Sequence, residues 1–301
     1  MLTVQNVTKT YGKFKALDDV SFEVPQGQAV LLIGPNGAGK TTAIKSVLGL
    51  LTFRGSIKID GLDIRTQGTH AREKIGYVPQ ALVFGYNTSV LEQAHFMAKL
   101  KGAPADEVGE ALKRAALWDF RQRKVNSLSH GMRQKLGISL ALLKDPPFLI
   151  FDEPINNVDL KGQLDFRNIV QDLSKQGKTL LIATHLSGLS EIVGNAIVIA
   201  KGKIIAQGTP QELLTKMNAA DTMYLRITEE NVAKVAQIVQ DILGSKISQN
   251  GEWLVFSLPP GMKSTILEKV ILNGYKIKDL IVEPSTIESS YVRLLGGGTA
   301  S

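Results

Sequence analysis

Ala29-Val30-Leu31-Leu32-Ile33 runs directly into Gly34-Pro35-Asn36-Gly37-Ala38-Gly39-Lys40-Thr41-Thr42, and this junction decides how the chain is read. The apolar run predicts a buried strand, and Ala43, Ile44, Val47, Leu48 and Leu51 behind the junction predict an amphipathic helix. Between them stands Gly-x-x-x-x-Gly-Lys-Thr. Glycines without a Cβ let successive backbone N–H groups turn toward one anion, and the positive end of the following helix points at the same place. Lys40 adds a point charge at the β- and γ-phosphates, while the Thr41 hydroxyl is suited to the shell of a Mg²⁺ ion. Chance produces this spacing in roughly one 300-residue chain in a hundred. A plain glycine-rich turn explains neither the strand before it nor the helix after it. The stretch therefore predicts a site for Mg-nucleotide.

The 301 residues are 44% hydrophobic, which allows a substantial core and two domains. No apolar run approaches the roughly 18 residues that span a bilayer, and Met1-Leu2-Thr3-Val4-Gln5 lacks a signal-peptide pattern, so the protein is expected on the cytoplasmic side. With no cysteine, disulfides, thiolate metal sites and cysteine nucleophiles are excluded. A net charge of +7 favours acidic partners: nucleotides, anionic lipid head groups or nucleic acid. A merely solvated basic surface is the alternative. Arg121-Gln122-Arg123-Lys124 is short and has no interleaved aromatics, so no nucleic-acid partner is expected.

In chain order, Leu2 to Thr8, Val20 to Val24 and Ala29 to Ile33 read as strands, with Tyr11 in the first loop. Short β runs follow at Ser56 to Gly61 and Ile75 to Gln80, where Gln80 is a polar amide able to ligate Mg²⁺. Val90 to Asp145 reads as a helical insertion, the helical part of the domain covering about 86 to 145. Inside it, Leu128-Ser129-His130-Gly131-Met132 opens a helix. Ser129 is at least an N-cap, and with Gly131 it offers a second anion site. Phe148-Leu149-Ile150-Phe151 leads into Asp152-Glu153, the pattern of a buried parallel strand delivering carboxylates at its C-terminal end. Asp152 suits the Mg²⁺ shell, and Glu153 can act as general base on a water attacking the γ-phosphate. After a turn at Asn156-Asn157-Val158-Asp159, a further strand, Thr179 to His185, brings a histidine to the same kind of edge. A hairpin around Lys201-Gly202 and a helix from Pro210 to Met217 end the first domain. Residues 222 to 282 read β-α-β-β-α-β around Asn250-Gly251, a small ferredoxin-like domain.

In this order the stretches resemble the ATP-binding subunit of an ABC transporter over about residues 1 to 217, with Ser129-x-Gly131 the most diagnostic element. The resemblance implies an α/β fold: a P-loop ABC-type ATPase core with an antiparallel β subdomain and a helical subdomain. To this the reading adds the α+β accessory domain, 222–295, and a disordered tail, 296–301. By position, Tyr11 is similar to the adenine-stacking aromatic, Gly34 to Thr42 to the phosphate loop, and Gln80 to the glutamine that senses Mg²⁺ and contacts the membrane partner. Ser129, His130, Gly131 and Met132 resemble the signature that closes on ATP of the opposite subunit. Asp152 resembles the Mg²⁺-organising acid, Glu153 the catalytic base, Asp159 the dimer-interface aspartate and His185 the γ-phosphate switch. His130 and Met132 replace the commonest glycine and glutamine, and Ile155, Asn157 and Val158 depart from the usual loop, which puts dimer-interface communication in question.

The resemblance further implies ATP and Mg²⁺ as cofactors, a homodimer or paired ATPase subunit, and peripheral placement on the cytoplasmic face of the cell membrane. Val282 to Tyr291 looks like the ending of ATPases that partner separate ABC-2-type permeases, which implies an exporter; that group includes drug-export ATPases and the copper-site maturation ATPase of nitrous-oxide reductase, and His95 to Ala103 leans toward the latter over a drug or lipid exporter. Two rival classes fit the sequence less well. A soluble ABC ATPase acting on ribosomes or DNA usually carries two ATP-binding units or a long coiled coil, and this chain has neither a second phosphate loop nor sustained heptads. A regulatory subunit without turnover is disfavoured by Lys40, Asp152, Glu153 and His185 all being present.

Overall fold

The computed structural model describes all residues except 157, 186–187, 218, 246, 288–289 and 291–301. The expected tail, 296–301, lies outside the described residues, as do Asn157 and Tyr291. In chain order the first part comprises β1 (Leu2–Tyr11), β2 (Phe14–Val24), β3 (Ala29–Ile33), α1 (Lys40–Val47), β4 (Arg54–Ile59), β5 (Leu62–Asp63), α2 (Gly68–Glu73), β6 (Ile75–Val78), α3 (Val90–Lys101), α4 (Glu107–Arg114), α5 (His130–Ala141), β7 (Phe148–Asp152), α6 (Leu160–Lys175), β8 (Thr179–Thr184), β9 (Asn195–Ala200) and β10 (Lys203–Gly208). Then follow α7 (Pro210–Lys216), β11 (Asp221–Ile227), α8 (Val232–Leu243), β12 (Ser248–Asn250), β13 (Trp253–Leu258), α9 (Met262–Leu272) and β14 (Ile277–Glu283). The chain divides into two compact units, Met1–Pro210 and Gln211–Ser301, so the division falls ahead of α7 rather than behind it.

The first unit holds an antiparallel sheet, β2-β1-β4-β5, and a six-stranded sheet, β10-β9-β3-β8-β7-β6. β3, β7 and β8 are buried along their whole length, as continuous apolar strands covered on both faces must be. Their parallel register sets the site. Ile33 stands opposite Thr184, and Asp152 opposite Ala183, so the loops leaving β3, β7 and β8 all emerge at one sheet edge. One core, including Leu17, Val20, Ile44, Val47, Ile57, Phe148, Ile150 and Leu181, joins the two sheets and α1.

Residues 90–145 are less uniformly helical than their composition predicts. Only α3, α4 and α5 are α-helices; Trp118–Phe120 and Val125–Ser127 are single 3-10 turns. α3 starts at a capping box, Ser89 with Glu92, and stops at Gly102 with φ 64°. Two α-helices escape the sequence reading altogether. α2 is six residues long and buries Ala71 alone, too little for a periodic signal. α6 buries Phe166, Val170 and Leu173 at helical spacing, but exposed Leu160 and Leu164 blur the pattern. Tyr11 is also relocated: it ends β1, paired with Phe14 across a tight hairpin, because β2 begins six residues before Val20.

In the second unit the order β-α-β-β-α-β closes an antiparallel sheet, β12-β13-β11-β14. Met223, Leu225, Leu254 and Phe256 face a core with Val235, Val239, Ile266 and Val270 of α8 and α9. This is the ferredoxin-like arrangement expected. The hairpin between β12 and β13 turns at Gly251-Glu252, one residue later than expected, since Asn250 still pairs with Trp253.

Candidate nucleotide site

The phosphate loop follows β3 directly, and Gly34 N–H donates to Thr184 O at 3.4 Å, continuing the sheet ladder into the loop. Gly39 caps α1 at φ 111°, where a Cβ would come within 2.7 Å of the Ala16 carbonyl oxygen. Only glycine fits there. Gly37, at φ 78°, borders open space, the room an anion cradle requires. Pro35 and Asn36 are exposed on the loop, Ala38 is buried beneath it, and Thr42 is half-buried in the first turn of α1. Lys40 folds under the loop, its Nζ donating to Gly34 O at 2.6 Å and Pro35 O at 3.1 Å.

Glu153, one residue past β7, is the hub of this edge. Its backbone is left-handed at φ 51°, and its N–H donates to Ala183 O at 2.8 Å. That twist turns the side chain toward two basic partners. Glu153 Oε1 lies 3.0 Å from Lys40 Nζ, and Oε2 lies 2.7 Å from Nδ1 of His185, the first residue beyond β8. Lys40 and Glu153 are both 5% exposed, so this is a buried ion pair, supported by the hydrogen bonds that Lys40 donates to the loop carbonyls and by the contact of Glu153 with the imidazole.

Asp152 is fully buried, and its Oδ1 accepts from Thr41 Oγ1 at 3.3 Å. Burial pushes the Asp152 carboxyl above the usual carboxylate range, against the Thr41 hydrogen bond, and the neighbouring Glu153 charge pushes the same way as burial. Hard oxygen donors from a hydroxyl and a buried carboxylate suit a small divalent cation such as Mg²⁺. Tyr77, on β6 beside β7, carries no functional signal in the sequence. Burial, helped by the Asp152 charge, pushes its phenol up to about 12.

Gln80 is exposed, two residues beyond β6, at the same end of the sheet as Asp152. The loop after it is pinned where no motif predicts: Gly85 N–H donates to buried Gln93 Oε1 at 2.9 Å, and Leu82 packs against Gly137 of α5, where a Cβ would meet it at 2.6 Å. Tyr11 is half exposed, with Lys9 Nζ 5.0 Å from its ring centroid, so a cation already covers part of the ring.

The Ser129 motif sits elsewhere. Ser129 caps α5, accepting from Met132 N–H at 3.2 Å, and Arg133 Nη1 donates back to Leu128 O at 2.7 Å. Exposed His130 begins the helix, and Gly131 lacks neighbours within 4 Å of its would-be Cβ. Ser129, Gly131 and Met132 line a cleft of about 160 Å³ together with Asp159 and Gly162 at the start of α6; no phosphate-loop residue lines it among the described residues. Asp159 caps α6, accepting from Gly162 N–H at 3.0 Å.

Residues 17–156 match the family model described as ABC transporter. An uncharacterized ABC transporter ATP-binding protein, YhaQ of Bacillus subtilis, is 35% identical over 71% of this chain and 72% of its own. The chain belongs to the ABC transporter ATP-binding family. Along almost its whole length it is also 30% identical to the bacitracin transport ATP-binding protein BcrA of Bacillus licheniformis, over 99% of this chain and 98% of that one. A solved dimeric ATP-binding cassette, MJ0796, in a post-hydrolysis state with ADP and Pi, superposes with TM-score 0.64 at 28% identity, covering 69% of this chain and 98% of that one. As an ABC transporter ATP-binding protein, this chain is a nucleotide-binding ATPase. Among its described residues no helix is long and apolar enough to cross a membrane.

Asp159 allows a test of cap against interface in this ABC protein. Asp159→Ala should lower stability by about 1 kcal/mol through the lost cap, whereas Asp159→Asn keeps the cap. If Asp159 also serves a dimer interface, Asp159→Asn should retain the melting temperature and lose ATP-dependent dimerisation, measured by sedimentation.

Proposed function

We propose that this ABC ATPase dimerises around two Mg-ATP and drives a separate ABC-2-type permease that exports its cargo, from the cytoplasmic face of the membrane. The observation that carries this reading is the split of the site. Lys40, Thr41, Asp152, Glu153 and His185 gather at one sheet edge, while Ser129, Gly131 and Asp159 form a separate cleft. A hydrolytic site built from both sets needs a second copy, each supplying the half the other lacks.

These contacts, together with the resemblance by position, support the following roles. The loop N–H groups and Lys40 hold the β- and γ-phosphates, and Tyr11 stacks on the base. Thr41 and Asp152, with Gln80 nearby, would hold Mg²⁺, which when bound neutralises phosphate charge. Glu153 takes the proton of the attacking water, and His185, in contact with it, reads the γ-phosphate. Ser129 to Met132 contact ATP of the opposite subunit.

The permease would dock at the loop after Gln80, where Val83 is 88% and Tyr86 94% exposed beside the buried Gln93 that pins the loop. The basic charge adds attraction to anionic lipid. Full-length similarity to a bacitracin transport protein, and 28% identity over 98% of this chain to the Nod factor export ATP-binding protein I of Ralstonia nicotianae, favour an exporter of such compounds over the copper-site lean.

Co-purification tests the proposal. The tagged chain should leave the membrane fraction with a multi-span permease and show permease-stimulated ATPase activity. A chain that stays soluble and follows ribosomes or DNA would sink the transport reading.

A further inference from the structure

Tyr11 ends β1 half exposed, paired with Phe14 across the hairpin. Farther along β2 the chain meets the phosphate loop, where a Cβ on Gly39 would lie 2.7 Å from the Ala16 carbonyl oxygen and 3.1 Å from Leu17 Cδ2. β2 thus fixes the hairpin against the loop and sets the Tyr11 ring beside the place of a bound nucleotide. Lys9 stands next to that ring. Its Nζ lies over the ring, 5.0 Å from the centroid, and donates to Thr52 Oγ1, ahead of β4, at 3.3 Å. The side chain is half-buried, and among the described residues no carboxylate pairs with it. Lys15 and Arg54 line the same cleft as Lys9, and Asp18, which also lines it, already holds Lys15 at 2.9 Å and Lys203 at 3.3 Å. The ring and the hydroxyl, not a counter-ion, therefore fix where this ammonium stands.

We propose that Lys9 is a positioning residue for base recognition: anchored on Thr52, its ammonium covers one face of Tyr11 and leaves the other to the base of ATP. Base, ring and cation then stack in that order. A cation is drawn to the negative face of the ring quadrupole. A half-exposed ring has several staggered rotamers open to it, and a neighbour tied to the approach of another strand narrows that choice. Less freedom is then lost when the base arrives, which is how preorganisation raises affinity. Lys9 acts through Tyr11 and has no need to touch the nucleotide. Stacking uses the π face that every base presents, so the effect belongs to ligands that carry a base, and a bare triphosphate is indifferent to it. The inference rests on the base stacking of Tyr11 proposed above, and it names what holds that ring in place.

Lys9→Met in the full-length protein keeps the apolar stem and removes the charge. It should raise the calorimetric Kd for MgATP, and the KM of ATP hydrolysis, about two- to fivefold with kcat unchanged, and leave the Kd for Mg-tripolyphosphate where it was. Lys9→Arg keeps a cation on the ring and a donor for Thr52, and should restore the ATP values. Tyr11→Ala should weaken ATP binding about tenfold, and Lys9→Met added to it should cost no more, because the two residues act as one unit. Equal losses for ATP and tripolyphosphate would make Lys9 part of the general basic field around the phosphates and overturn the proposal. A Lys9→Met loss that persists in full without the Tyr11 ring overturns it too, as does a lowered melting temperature with ATP affinity intact. If Tyr11→Ala binds ATP normally, base stacking itself fails and this inference with it. If Tyr11→Ala weakens binding and Lys9→Met does not, stacking stands and the role of Lys9 alone falls.

Discussion

Glu153→Gln is expected to bind ATP with nearly unchanged affinity while hydrolysis falls by about 10²- to 10⁴-fold, the usual worth of a general base. The structure sharpens this expectation. The amide can still accept from Lys40 through its oxygen and donate to His185 through its nitrogen, so the geometry around 2.7–3.0 Å should persist. What disappears is the capacity to take a proton. Phosphate release in a single turnover measures the loss, and equilibrium titration with a fluorescent ATP analogue measures binding. Near-normal turnover would remove Glu153 from the role of base and leave it as the residue that positions Lys40.

Lys40→Ala should abolish tight ATP binding, and it should also weaken the nucleotide-free protein. Its Nζ neutralises a carboxylate that is 5% exposed, and removing one member of a buried pair typically costs about 3–5 kcal/mol. His185 remains against Glu153, so the lower end is expected. Two measurements separate the effects. Thermal melting without nucleotide should show the stability loss, and Lys40→Ala combined with Glu153→Gln should lose less than the sum of the two single changes, because the buried charge is gone. Binding should stay lost in the double variant. Unchanged nucleotide affinity in Lys40→Ala would sink the phosphate-loop reading, and strictly additive melting shifts would mean the ion pair contributes nothing.

Much of the fold is legible residue by residue. β3, β7 and β8 are read correctly because strands buried on both faces are apolar throughout, and α1 and α8 because one face alone is apolar. The second sheet follows from the alternation of elements and one hairpin signal. The misses have equally local causes. α6 carries exposed leucines at 72% and 51%, which blur its apolar face, and β2 opens with Phe14 and Lys15 both exposed and Ala16 and Leu17 both buried, so no strict alternation marks its start. Gly12 after Tyr11 predicts a loop at Tyr11, yet the hairpin is so tight that Tyr11 still pairs with Phe14.

The phosphate loop, the acidic strand end and the Ser129 helix start are matters of local chemistry: glycines at backbone positions others cannot adopt, an apolar run that must be buried, a hydroxyl at a helix start. Residue types at short spacing are enough to specify them. Their partnership is not local. Thr41 meets Asp152 across 111 positions and Glu153 meets His185 across 32, because β3, β7 and β8 lie parallel with Ile33 opposite Thr184 and Asp152 opposite Ala183. Spacing along the chain carries no record of that register, which is set by how three buried strands pack beside one another. The same packing sends Ser129 to Asp159 instead of to Lys40, and the left-handed turn at Glu153 aims one carboxylate at two bases. Local sequence thus names the groups, and the packing of strands in three dimensions chooses which of them touch.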